Sequence, residues 1–101
     1  MSLDKPFSCL FLLARPKGMP GKKLLETLSA DVIERGNGFL SKPRTLEYFW
    51  SRLILNYIIE KKGLLVSPQE RAPLSPLLEG QGKFYTSISH TKTYIAVAVS
   101  S

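Results

Sequence analysis

The chain has 101 residues, 44% hydrophobic and 22% charged, which suits one small globular domain with a modest core. No apolar run is long enough to cross a bilayer, and PFSCLFLLA lacks a small-residue cleavage site, so it reads as a strand rather than a signal peptide. The net charge of +6 is diffuse, with eight Lys/Arg against five Asp/Glu in residues 1–50 and six against three in 51–101, which fits a small anionic ligand or an acidic protein at least as well as nucleic acid.

In chain order, residues 7–14 (FSCLFLLA) form a continuous apolar run, expected as a strand buried on both faces. The single cysteine, Cys9, lies inside it and is expected as a buried thiol of a cytoplasmic protein; no second ligand stands near it to make a metal site. RPKGMPG is a breaker-rich loop. From Pro20, KKLLETLSADVIER places Leu24, Leu25, Leu28 and Val32 at helical spacing, and Gly36-Asn37-Gly38 interrupts that pattern. Pro43 suits the first turn of a new helix over 43–61. There Leu46, Phe49, Trp50, Leu53, Ile54, Tyr57 and Ile58 keep a helical period. A second stripe, Tyr48, Arg52, Leu55 and Ile59, lies nearly opposite and implies cover on both sides. Arg52, inside that stripe, is expected to pack its stem and pair its head. LLVS (64–67) reads as a short strand and PQERAPLSPLLEGQG as a proline-rich loop. FYTSIS (84–89) alternates weakly, HTKT makes a turn, and YIAVAVS (94–100) is a strand of high β-propensity. The order strand, helices, strands predicts an α+β fold with helices on one face of an antiparallel sheet.

Residues 87–93 concentrate hydroxyls, an imidazole and an ammonium at a strand end. Two readings stand side by side: a hairpin turn whose Ser and Thr side chains satisfy local backbone groups, or an anion site built from the same donors. A Ser89–His90 nucleophile–base pair is not expected, since neighbours on a strand point to opposite faces. Arg35 and Arg44 flank the start of the long helix, as solvated charges or as anion ligands. No Gly-rich phosphate loop of the P-loop pattern occurs. No Asp or Glu follows Glu79, so the C-terminal quarter offers no converging carboxylates for a metal.

The run FYTSISHTKTYIAVAVSS resembles the segment of 4'-phosphopantetheinyl transferases in which an F-N-x-S-H-S strand end precedes a YVAVAVS-like strand. LEYFWSRLILNYII resembles that family's long helix with its A-R-x-L-L-R core. ERAPLSP stands where a GKPxL segment is expected, and Arg35 precedes Phe39 as a basic residue precedes a Phe there. The resemblance spans nearly the whole chain and is to the N-terminal half of the two-half, surfactin-synthetase-activator type. Its most specific part is Ser89-His90.

The resemblance implies a function: transfer of the 4'-phosphopantetheine arm of coenzyme A to a serine of an acyl or peptidyl carrier protein. Residues 1–101 would form one half of a pseudo-twofold transferase fold and supply much of the coenzyme A cradle. By the same match His90 and Ser89 are phosphate-binding, Arg35 is a candidate for the 3'-phosphate, and Arg44 and Arg71 are further candidates. Two departures stand out. The GKP lysine is replaced in Arg71-Ala72-Pro73, leaving Arg71 or Lys83 to take its part. The family's G-I-D-x-E and W-x-x-K-E motifs, whose acids bind Mg²⁺ and activate the carrier serine, are expected beyond Ser101. The chain is therefore expected to be inactive alone, and its second helix stripe to lack cover that a C-terminal half or self-association would provide. The alternative from another class is a small basic binding module for nucleic acid or an acidic protein, without enzymology.

Overall fold

A computed structural model describes residues 7–101. The chain runs β1 (Ser8–Ala14), α1 (Lys22–Leu25), α2 (Ala30–Asn37), α3 (Lys42–Lys61), β2 (Val66–Arg71), β3 (Leu74–Gly80), β4 (Gly82–His90) and β5 (Tyr94–Ser100). The strands form one sheet in the order β1-β5-β4-β3-β2, and every neighbouring pair is antiparallel. This is the α+β class read from the sequence, with the helices on one face.

The core lies between α3 and that face. Ile54, Leu55 and Ile58 of α3 pack with Leu78 of β3 and Ile95, Val97 and Val99 of β5. Removing such side chains from water stabilises the fold by about 1.5–3 kcal/mol each. A second cluster joins Leu28, Val32, Tyr48 and Phe49 where α2 leans on α3. The approach there is close enough that a Cβ on Gly36 would run into the Phe49 ring. The Thr45 hydroxyl, also buried, reaches the Gly36 carbonyl at 3.1 Å and ties the end of α2 to the start of α3.

Five expectations about local structure are corrected. Strand β1 is not buried on both faces: exposure alternates along it, and Leu10 and Leu12 are 65% and 60% exposed. The helices cover one face only, and period 2 sends every other apolar residue of the run to the open one. The pattern from Pro20 does not make one helix. Thr27 turns its hydroxyl back to the Leu24 carbonyl, and Ser29 caps α2 by accepting from Val32 N, so local side-chain bonds compete with helix continuation.

The proline-rich stretch after residue 67 is not a loop but most of the β2–β3 hairpin. Pro68 sits on an edge strand, where no ladder donor is missed. Pro76 stands opposite the register shift between Gln69 and Arg71, just outside the β3–β4 ladder that starts at Leu77↔Tyr85. His90 is the last residue of β4 rather than the first of the turn. Thr91 holds the turn itself, its hydroxyl accepting from Thr93 N and Tyr94 N.

The fifth correction concerns the second stripe of α3, which is covered within this chain. Leu55 is fully buried and Tyr48 nearly so, because the β2–β3 hairpin supplies the side the loop reading had left bare. Arg52 meets the expectation for it: its guanidinium lies 4.3 Å over the Tyr48 ring and forms a forked pair with Glu70 of β2. Cys9 is half-buried against the core. Among the described residues, no helix is long and apolar enough to cross a membrane.

Candidate functional site

Three pieces of chain meet beside the N-terminal half of α3. The helix begins where Ser41 Oγ accepts from Arg44 N at 3.3 Å, with proline in the first turn. This start places Arg44 at the surface, its guanidinium 4.8 Å over the Phe39 ring. Glu47 and Tyr48 follow one turn on, and Arg52 one turn beyond. From β4, period 2 sends Ile88 and His90 to the helix side. The β2–β3 hairpin adds Pro73 from its turn and Leu74 and Ser75 from the start of β3. Together they enclose a cavity of about 440 Å³.

The charges around this cavity are mostly paired. Arg52 donates to Glu70 through Nε at 3.0 Å and Nη2 at 2.9 Å, a geometry only a guanidinium offers a carboxylate. The Tyr48 hydroxyl reaches the same carboxylate at 3.4 Å. Burial, and then the Glu70 charge, push the Tyr48 phenol above its usual range. His90 Nδ1 stands 3.3 Å from Glu47 Oε2, and Arg15 pairs with that same oxygen. Arg44 has no carboxylate partner among the described residues. The cavity therefore offers an incoming anion one free guanidinium, one half-exposed imidazole and a hydroxyl rim.

The residues singled out from sequence separate into two groups. His90 and Arg44 line the one cavity. Ser89 is exposed on the opposite face of β4, in register with Ala96, as the alternation of a strand requires. Arg35 is exposed in the last turn of α2 and does not line the cavity, although its charge is felt at Tyr48. Arg71 is occupied by its own hairpin, its Nε donating to the Ser75 carbonyl at 2.7 Å. Lys83, the other stand-in for the missing lysine, pairs in register with Glu79 and shares the outer face with Ser89. The residues that sequence reasoning missed are Glu47 and Arg15. Their partners lie far along the chain, and only the three-residue step from Arg44 to Glu47 on one helix face hinted at a shared site.

Of the further concavities that flank α3, two differ sharply in character. One, of about 530 Å³, is rimmed by Arg15, Lys17, Lys42 and Lys92 with no acidic side chain among its walls. The other, of about 640 Å³, is an open groove along the C-terminal half of the helix, walled by Phe11, Leu13, Trp50, Leu53 and Tyr57 among others. Among the described residues, no group of three or more His, Cys, Asp or Glu side chains could hold a metal ion. These residues do not fit a Mg²⁺ site of their own, and no step through a metal follows from them. No protein-family model matches the sequence, and no curated protein or solved structure does so either.

Proposed function

We propose that this chain is the coenzyme-A-binding half of a 4'-phosphopantetheinyl transferase of the two-half type, with an acyl or peptidyl carrier protein as the acceptor. The observation that carries the reading is the convergence of His90 and Arg44. One was singled out by the Ser-His strand end and the other by the start of the long helix, and they face one cavity from two separate elements. Both suit phosphate: an arginine fork for its oxygens and, in the imidazolium form, a ring nitrogen as a further donor. The 440 Å³ space falls within the range of small-molecule sites. The helices on one face of an antiparallel sheet are compatible with one half of a pseudo-twofold transferase, and the Mg²⁺ ligands would then come from outside these residues.

Calorimetric titration with coenzyme A tests the reading. His90→Ala and Arg44→Ala are each expected to weaken binding roughly ten- to a hundredfold, the worth of a charge-assisted hydrogen bond of about 1.5–3 kcal/mol. Lys61→Ala, on the far end of α3, is the control and should bind as the parent does. Absence of coenzyme A binding by the parent chain, or equal losses in all three variants, overturns the reading. In an intact transferase the His90→Ala loss should appear in KM rather than kcat, because a phosphate that is not transferred is held alike in ground and transition states.

The second reading, a basic module for an acidic protein, draws on the rim of Lys17, Lys42 and Lys92 around its own concavity. Binding of an acidic polypeptide that is lost on neutralising those lysines, without coenzyme A binding, would favour it.

A further inference from the structure

A neutral imidazole carries one proton, and whatever faces one nitrogen decides where that proton sits. His90 Nδ1 is 3.3 Å from Glu47 Oε2. A carboxylate oxygen at that distance repels a nitrogen lone pair and attracts an N–H. His90 Nε2 has no partner among the described residues.

Glu47 is itself held. Arg15, which follows the end of β1, places Nη1 on the same carboxylate oxygen. That Nη1 also donates to the Thr91 carbonyl at 3.0 Å, so one guanidinium holds both the carboxylate and the residue next to His90. A backbone bond from Arg15 N to the Thr93 carbonyl, 2.9 Å, seats the arginine against the same turn. Three elements thus converge on one side of one imidazole.

A carboxylate lining an anion site needs an explanation, since alone it would repel the ligand. Arg15 offsets that charge, and the remaining role for Glu47 is directional. We propose that Glu47, clamped by Arg15, is a positioning residue that keeps the His90 proton on Nδ1 and leaves Nε2 as the nitrogen that meets a ligand in the cavity. In the imidazolium form the Nδ1 side then faces the Glu47 carboxylate at 3.3 Å, and the Nε2–H is left to donate to a ligand phosphate oxygen. The tautomer belongs to the chain itself. Only the identification of the ligand oxygen with a coenzyme A phosphate rests on the function proposed above.

His90 is the only histidine, so ¹⁵N spectra of histidine-labelled protein contain one imidazole pair. At a pH where the ring is neutral, the parent chain is expected to show N–H character at Nδ1 and a bare Nε2. Glu47→Ala should move the Nδ1:Nε2 proton ratio toward Nε2 by roughly severalfold, the effect of removing a carboxylate charge 3.3 Å from Nδ1. Glu47→Gln, nearly isosteric, should give a smaller shift, as should Arg15→Ala, which leaves Glu47 unclamped. Amide spectra of the same samples confirm that the variants are folded. A parent chain with its proton on Nε2, or a ratio unmoved in folded Glu47→Ala, overturns the proposal. If the tautomer follows Glu47 in a chain that binds no coenzyme A, this inference stands and the proposed function falls. If coenzyme A binds and the tautomer ignores Glu47, the reverse holds.

Discussion

The cavity beside the first half of α3 and the groove along its second half are built on one helix by different means. In the cavity, directional pairs set the geometry: Arg52 with Glu70, Glu47 with Arg15 and His90. In the groove, apolar area does most of the work, and the indole of Trp50 in its wall is held by Nε1 donating to the Gly18 carbonyl at 2.9 Å. Directional pairs fail when a single atom is changed, whereas area-built walls fade gradually. The same chain should therefore be brittle on one flank and tolerant on the other.

The largest effect should come from the core both flanks share. Leu55 is completely buried, and Leu55→Ala is expected to cost about 2–5 kcal/mol. Urea unfolding followed by tryptophan fluorescence and by circular dichroism should then shift as one transition. Two separated transitions would break the comparison, since the flanks would not rest on common packing.

Next comes the brittle flank. Arg52→Ala strands the Glu70 carboxylate and bares the Tyr48 face. With both side chains under a quarter exposed, the expected loss is about 1.5–3 kcal/mol by the same urea assay. Arg52→Lys should recover little of it, because an ammonium cannot make the forked pair. Full recovery by lysine would show that charge alone matters there.

A smaller, pH-dependent effect sharpens the same point. The Tyr48 phenol is raised by burial and by Glu70, so above about pH 10 the unfolded chain gives up that proton first. The folded state then holds more protons, and stability falls as pH rises from there through the folded value. Tyr48→Phe should flatten that part of the alkaline decline in the urea midpoint. An unchanged slope would count against the buried phenol.

The smallest effect should be on the tolerant flank. Leu24 lines the groove and is 46% exposed, and Leu24→Ser should change stability by no more than about 0.5 kcal/mol. A loss as large as that of Arg52→Ala would mean that the groove is as tightly specified as the cavity.

Legibility in the sequence followed the range of the interactions. Helix α3 was readable because its apolar residues from Leu46 to Ile58 keep one period for more than three turns, and β5 because YIAVAVS is β-branched and alternating. The β2–β3 hairpin was not, because prolines signal a loop unless one knows which strand lies at the edge and where the register slips. That misreading left the second stripe of α3 without visible cover. In the cavity, His90 was legible through a short motif and Arg44 through its place at the start of the long helix, and the opposite facing of Ser89 through the alternation of a strand. Glu47 and Arg15 were not, since an ion pair between residues 32 apart leaves no periodic trace.

The order of the sheet has a consequence for how the molecule is assembled during synthesis. β2 with β3, β3 with β4, and β4 with β5 are neighbours in sequence and can zip by local turns. β1 pairs only with β5, from Ser8↔Ser100 to Ala14↔Tyr94. Its apolar run leaves the ribosome before every other strand of the sheet and waits, unpaired, until β5 has followed. Closing so long a loop carries an entropic cost that local hairpins avoid, and contacts of this range slow folding. Until then β1 is a sticky, unsatisfied strand of the kind that chaperones hold and aggregates recruit. Because Arg15 directly follows that strand, the clamp on Glu47 and His90 is set only when this final seam closes.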